Sequence, residues 1–236
     1  MLFRSDTRLR PEGTKGALAM PLATFRRYLD QRAEPWERLA WTRYRILVST
    51  SRIAQELHPI VASFVYGPWQ PAVVPYMRRI RTRMEGELAH EGPTRIDFKV
   101  GRGGLADIDF LLQLVQIREG ELRPEFRKPG TRALLTQLPE TRYVRIEEVA
   151  FLREAHTFLR QLEMIARMAS DSDISWIAPQ PAILATLGAR LARLGAPSAD
   201  ILGIYRRITE QVRSLYATVL ARLEQQIGRA SCRERV

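Results

Sequence analysis

The sequence contains very little cysteine and histidine. Its 236 residues include one cysteine, Cys232, and three histidines. One thiol excludes a disulfide framework and a cysteine-based metal site, and the histidines lack the spacing of a zinc motif such as H-E-x-x-H. No run approaches the roughly 20 uncharged apolar residues that a membrane-spanning helix needs. These absences, and the lack of a signal-peptide core in Met1–Arg10, predict a cytoplasmic protein.

Positive charge, by contrast, is abundant. Lys and Arg number 37 against 26 Asp and Glu, which gives a formal net charge of +11. Most arginines alternate with glutamates along predicted helices, a pattern typical of solvated faces with i,i+4 ion pairs. Nucleic-acid binding is therefore not expected. A non-catalytic basic helical module that docks an acidic protein or a nucleic acid through its arginine faces stays as an alternative.

Apolar residues recur at helical spacing through most of the chain. The segment 105–118 is apolar nearly all round, so we expect that helix to be buried. The segment 146–168 and the final helix from Ile201 have seams typical of a helical bundle. The other predicted helices cover 22–32, 35–48 and 70–91, with short helices between 52 and 66.

Two segments have the pattern of β-strands. Leu2–Arg10 alternates in strand periodicity, and Thr94–Val100 reads as a second, short strand. A lone strand is not stable in water, so the partner of the first is either Arg95–Val100 or a segment outside this sequence. We therefore expect the chain to be an incomplete piece of a longer protein.

The glycine-rich segment Lys99–Phe110, KVGRGGLADIDF, is the most specific local pattern. Glycine amides before a helix N-terminus, flanked by cations, could cradle a phosphate. A structural glycine turn with acidic residues in the first helical turn explains the pattern equally well. The segment fits neither the dinucleotide fingerprint nor the P-loop. The candidate phosphate-binding residues are Lys99, Gly101, Arg102, Gly103, Gly104, Asp107 and Asp109.

Asp6 is the one candidate for a metal ligand. A carboxylate on a strand between Arg4 and Arg8 could bind a divalent cation while the arginines neutralise phosphate oxygens. The alternative is an exposed strand residue that forms ion pairs with its neighbours. The local pattern alone favours the second interpretation, because a single Asp between arginines is a weak signal for a metal site.

Four segments, in this order and spacing, resemble glutamine synthetase adenylyltransferases. They are FRSDTRLRPEGTKG at 3–16, EPWERLAWTRYRIL at 34–47, FKVGRGGLADIDFLLQLVQI at 98–117 and AHTFLRQLE at 155–163. The resemblance covers roughly residues 2–226. It implies a nucleotidyltransferase that moves AMP from ATP onto a tyrosine of glutamine synthetase, with a related domain that removes it. A P-II signalling protein would control the balance.

The resemblance also assigns residues to the site. Asp6 matches a metal-binding carboxylate that holds Mg²⁺ and ATP together with two upstream aspartates, which this sequence lacks. We therefore expect the fragment itself to be inactive. Arg8 and Arg10 match candidate contacts to phosphate or glutamine synthetase, and the glycine segment matches a motif near the nucleotide. Asp109 stands where Glu is common. Residues 13–16 favour the adenylylating domain over the removing one.

The implied fold is mainly α. We expect a helical bundle that follows the last strand or strands of an α/β nucleotidyltransferase domain. Residues 1–100 would be the end of that domain with its connecting helices, and residues 101–226 the bundle. Ile227–Val236 has no apolar face, and its back-translation resembles a sequencing adaptor, so we expect a non-native tail. A P-II uridylyltransferase fragment is the other enzyme alternative.

Overall fold

The computed structural model describes residues 10–70, 72–127, 130–170, 175–197 and 199–225. The fold is mainly α, as predicted. The strand predicted at 2–10 and the tail at 227–236 lie outside the described residues, apart from Arg10. Within the described part, the helices are α1 (Leu22–Gln31), α2 (Pro35–Trp41), α3 (Ser51–Tyr66), α4 (Val73–Met84), α5 (Leu105–Gly120), α6 (Thr131–Gln137), α7 (Ile146–Ser170), α8 (Pro181–Arg193) and α9 (Ile201–Gln225).

Helix α5 is the centre of the molecule. Helices α2, α3, α4, α6, α7 and α9 all pack against it. Its side chains are apolar on every face, and Ile108, Leu111 and Leu112 are completely buried. The predicted burial of this helix is confirmed. These contacts fix the position of α5. The glycine segment leads directly into the first turn of α5, so the helix also determines where that segment lies.

The predicted seams of α7 and α9 are also confirmed. Ala155, Phe158 and Leu162 of α7 are buried, as are Val212 and Val219 of α9. The two helices contact each other and α5. One hydrophobic cluster extends from the α1–α4 side of the molecule to α9. The division of the chain at residue 100 into two domains stays a prediction.

Several element boundaries differ from the sequence prediction. Helix α2 ends at Trp41 rather than Val48, and α3 is one helix that contains Pro59 rather than several short ones. Helix α4 begins at Val73 and continues into a π-helix, Glu85–Ala89, which stops at His90 with a left-handed φ of 48°. Helices α6 and α8 were not predicted.

The predicted strand 94–100 is reduced to β1 (Ile96–Asp97). It pairs antiparallel with β2 (Trp176–Ile177), so Ile96 lies opposite Ile177. This pairing brings together segments far apart in sequence, which is why periodicity alone did not show it. Among the described residues no helix is long and apolar enough to cross a membrane.

Surface arginines follow the expected pattern of pairing along helices. Arg52 pairs with Glu56 and Arg83 with Glu87, both at i,i+4 and at largely exposed positions. Such pairs stabilise a helix by only a few tenths of a kcal/mol each. These arginines therefore have partners within the protein, and their presence does not require a nucleic-acid partner.

A stronger ion pair fastens α9 to α7. The Arg222 guanidinium donates to both carboxylate oxygens of Glu148, at 2.6 and 2.8 Å, and also to the Tyr143 carbonyl oxygen at 2.8 Å. Both charged side chains are about four-fifths buried. The hydrogen bonds from Arg222 lower the pKa of Glu148 below its usual value.

We expect Glu148→Gln to reduce the free energy of unfolding by about 1 kcal/mol at pH 7, because the charge-assisted bonds to Arg222 are lost. The folded-state pKa of Glu148 is lowered, so its contribution is complete above the unfolded pKa of about 4.3 and disappears as pH falls through the folded value. Urea unfolding at pH 7 and at pH 3 measures this. Glu147→Gln, an exposed neighbour, is the control and should have little effect. An equal penalty at both pH values would contradict the assignment.

Candidate functional site

The glycine segment begins at the end of β1, where Asp97 organises the chain. Its Oδ1 accepts the amides of Lys99 and Val100 at 3.0 and 2.9 Å and also accepts the Ser175 hydroxyl at 3.2 Å. Asp97 is almost completely buried. The carboxylate therefore ties the start of the segment to the strand pair β1–β2.

The amides of the glycine turn all donate to acceptors inside the protein. Gly101 N–H binds the Asp97 carbonyl oxygen and Gly104 N–H binds that of Gly101. Arg102 N–H donates to Glu91 Oε2 at 3.0 Å, and Gly103 N–H donates to Asp107 Oδ2 at 2.7 Å. No N–H of this turn is left to bind a phosphate. The arrangement is that of a structural glycine turn.

Gly103 lets the turn approach helix α9. Its φ of +70° is a left-handed conformation, and a Cβ atom there would lie 1.8 Å from the Thr209 carbonyl oxygen. No side chain can occupy that space. Glycine at this position is required both by the backbone conformation and by close contact with α9.

Asp107 belongs to a group of four charges, of which two are fully buried and two partly buried. Its Oδ1 lies 2.6 Å from Arg81 Nε and 3.2 Å from Arg213 Nη1. Arg213 Nη2 in turn pairs with Glu85 at 3.3 Å, and Arg81 Nη2 donates to the Gly101 carbonyl oxygen at 2.6 Å. Arg81 and Asp107 have no exposed side-chain surface. We name Arg81, Glu85, Asp107 and Arg213 the charge cluster.

The charge cluster changes the interpretation of Asp107. A fully buried carboxylate with two guanidinium partners cannot touch a nucleotide unless α4 and α9 move apart. Its role in the structure is to hold the glycine turn, through Gly103, against these helices. The partners Arg81 and Arg213 were not singled out from the sequence, because arginines on amphipathic helices are ordinarily exposed.

Asp109, two residues further along α5, faces the surface. It accepts a hydrogen bond from Arg43 Nη2 at 2.6 Å and another from the Thr131 hydroxyl at 3.2 Å. Arg43 and Asp109 are each exposed by about two-fifths. Arg43 was missed by sequence reasoning, although it lies in the segment EPWERLAWTRYRIL. This contact joins two of the segments that carry the family resemblance.

The other predicted site residues within the described part of the chain are Arg10, Lys99 and Arg102. Arg10 donates to the carbonyl oxygens of Thr14 and Gly16, both at 3.0 Å, and so closes the loop 10–16. Lys99 and Arg102 have exposed side chains, and Arg102 has Glu210 within 3.6 Å. Asp6 and Arg8 lie outside the described residues. Binding of phosphate by any of these side chains stays a prediction.

The described residues do not provide a magnesium site. No group of three or more His, Cys, Asp or Glu among them could hold a metal ion. Asp107 and Asp109 already have guanidinium partners at 2.6 Å. The two carboxylates of the glycine motif therefore do not fit a divalent cation, and Asp6 stays the predicted metal ligand.

The chain is similar to two families and to several curated proteins. Residues 1–59 match the family described as glutamate-ammonia ligase adenylyltransferase, and residues 77–220 match the family described as GlnD PII-uridylyltransferase. The bifunctional glutamine synthetase adenylyltransferase/adenylyl-removing enzyme of Burkholderia mallei is 32% identical over 200 residues, which cover 80% of this chain and 22% of that protein.

The enzymes of the same name from two other bacteria give similar values. That of Vibrio parahaemolyticus is 30% identical over 72% of this chain and 18% of its own length. That of Hahella chejuensis is 32% identical over 69% of this chain and 17% of its own length. The chain thus spans about a fifth of the length of the curated relatives it matches.

Asp107→Asn should lower the free energy of unfolding by about 3 to 5 kcal/mol, because it removes the carboxylate 2.6 Å from the buried Arg81 and leaves only Glu85, at 3.8 Å, from the charge cluster. Asp109→Asn makes the same chemical change two residues along the same helix. It should cost no more than about 1 kcal/mol, since that ion pair is exposed. Urea unfolding followed by circular dichroism gives both values. Equal effects would contradict the separation of the two carboxylates.

Gly103→Ala should lower the free energy of unfolding by more than about 2 kcal/mol, because the added methyl group meets the backbone of α9. Gly86→Ala is the matched control, since a Cβ atom at Gly86 has nothing within 4 Å. Thermal melts of the two variants, compared with the unchanged chain, test this. A Gly103→Ala variant as stable as the control would show that the turn does not pack as described.

Proposed function

This chain belongs to the glutamine synthetase adenylyltransferase family, and we propose that it is the part of such an enzyme in which the nucleotidyltransferase domain meets its helical bundle. The observation that carries the proposal is the order of the two family matches. The match that contains Asp6 comes first, and the second covers α5, α7 and most of α9. Side chains from both matched regions, such as Leu39 and Leu111, belong to one hydrophobic cluster.

The proposed reaction is transfer of AMP between ATP and a tyrosine of glutamine synthetase, or its removal by phosphorolysis. Asp6 would hold Mg²⁺ with carboxylates that this chain does not contain, and the ion would neutralise charge on the phosphates. Arg8 and Arg10 would contact phosphate or the target protein. By itself the chain would transfer no AMP. The enzyme would act in the cytoplasm on glutamine synthetase, in response to a P-II protein.

A P-II uridylyltransferase is the second candidate, because the longer of the two matches is to that family. The match of residues 1–59 and the names of the relatives favour AMP transfer instead. The two reactions differ in nucleotide and in target protein. An assay that contains both nucleotide substrates and both target proteins therefore distinguishes AMP transfer to glutamine synthetase from UMP transfer to a P-II protein.

Asp6→Asn should abolish the chemistry in a whole enzyme. We would replace the matching 200-residue region of the Burkholderia mallei relative with this chain and measure AMP transfer to glutamine synthetase and its release. Loss of a metal-binding carboxylate should reduce the rate of the reaction that this domain performs at least about 100-fold. Asp30→Asn, at an exposed carboxylate, is the control.

Three results would contradict the proposal. One is an Asp6→Asn chimera with both rates unchanged. Another is a chimera that transfers UMP to a P-II protein in place of AMP to glutamine synthetase. A third is AMP transfer by the isolated chain, which would contradict the expected dependence on carboxylates outside it.

A further inference from the structure

A pocket of about 620 Å³ opens between the loop 10–16 and helix α2. This volume is within the range of pockets that hold small organic ligands. Four aromatic residues form part of its wall, and five charged residues line it as well. The residues around it are Arg10, Glu12, Gly13, Tyr28, Glu34, Trp36, Glu37, Ala40, Trp41, Arg43 and Tyr44.

The hydrophobic core supports the aromatic side chains of the pocket. Trp41 contacts Phe25 at a ring-centroid distance of 5.2 Å and Tyr44 at 6.1 Å. Phe25 is buried, so Trp41 is held by the core. Trp36, at the start of α2, is 38% exposed. A large exposed indole beside a rigid aromatic wall is a surface on which a flat ring can stack.

The carboxylates of the pocket have partners on the protein side. Glu12 pairs with Arg32, and Glu37 Oε1 accepts the Tyr28 hydroxyl at 2.7 Å. Their remaining lone pairs can accept N–H or O–H groups of a ligand. Three carboxylates face two arginines here, so the interior favours a ligand part that donates hydrogen bonds over one that carries several negative charges.

Arg43 gives the pocket a cation in a fixed position. Asp109 and Thr131 both bind its Nη2 atom, at 2.6 and 3.1 Å, and the guanidinium is two-fifths exposed. Asp109 is therefore a positioning residue that acts through Arg43. A guanidinium held in this way can bind one phosphate group at the pocket.

We propose that this pocket binds the nucleoside part of a purine nucleotide, with the base stacked on Trp36 and Trp41 and the α-phosphate at Arg43. The proposal rests on the proposed function, because AMP transfer requires a purine nucleotide. Beyond that function, the proposal names the residues that would select the purine base. Neither the glycine turn nor Asp107 takes part, since their polar groups already have partners in the protein.

The experiment measures binding of adenosine, AMP and UMP to the 236-residue chain by tryptophan fluorescence and by calorimetry, without metal. We expect AMP to bind in a saturable manner and more tightly than UMP, because purines stack more strongly. Trp36→Ala should weaken adenosine and AMP about 10-fold or more, and Trp36→Phe should retain binding. Leu47→Ala, at an exposed apolar residue outside the pocket, is the control.

Arg43→Gln distinguishes binding of the phosphate from binding of the base. It should weaken AMP about 10-fold and leave adenosine unchanged, because only AMP has a phosphate. Arg83→Gln removes one exposed positive charge elsewhere and should affect neither ligand. Asp109→Asn should weaken AMP in the same direction as Arg43→Gln. Thermal melts establish that each variant is folded.

The proposal is overturned if AMP does not bind, if UMP binds as tightly as AMP, or if neither Trp36→Ala nor Arg43→Gln changes the affinity. In the chimeric enzyme, Trp36→Ala should raise KM for ATP about 10-fold with a smaller change in kcat. An active chimera whose KM for ATP does not respond refutes the pocket and leaves the proposed function standing. A chimera that binds AMP as expected, but whose two rates do not respond to Asp6→Asn, supports the pocket and contradicts the proposed function.

Discussion

The ion pair between Arg81 and Asp107 is the constraint on which the rest of the structure depends. Neither side chain has any exposed surface. A buried charge without a partner costs several kcal/mol, whereas the exposed pairs on α3 and α4 contribute at most about 1 kcal/mol each. The charge cluster therefore fixes how α4, α5 and α9 meet. Through Gly101 and Gly103 it also fixes the path of the glycine turn.

The two aspartates of α5 have different roles because they lie on different sides of the helix. Residues two positions apart point to nearly opposite sides of a helix, so Asp107 faces the core and Asp109 the surface. The first carboxylate holds the elements together. The second holds Arg43 beside the aromatic pocket. A single motif can thus stabilise the fold and also hold a surface arginine in place.

Much of the helical architecture could be predicted from the sequence. A segment that is apolar on every face, such as 105–118, has to be buried, and the seams of α7 and α9 have bundle spacing. The charge cluster could not be predicted, since acidic residues in a first helical turn are ordinarily exposed and Arg213 is 106 residues from Asp107. The pairing of Ile96 with Ile177 is equally non-local. The roles of Asp6 and Arg8 stay predictions.

A double-mutant cycle on Arg81 and Asp107 tests the central claim most directly. Urea unfolding would give the free energies of the unchanged chain, Arg81→Met, Asp107→Leu and the double variant. Because each single change leaves a buried charge without its nearest partner, the double variant should lose less stability than the sum of the two single losses, by more than about 2 kcal/mol. Losses that add to within about 0.5 kcal/mol would contradict the claim that this pair holds the helices and the glycine turn together.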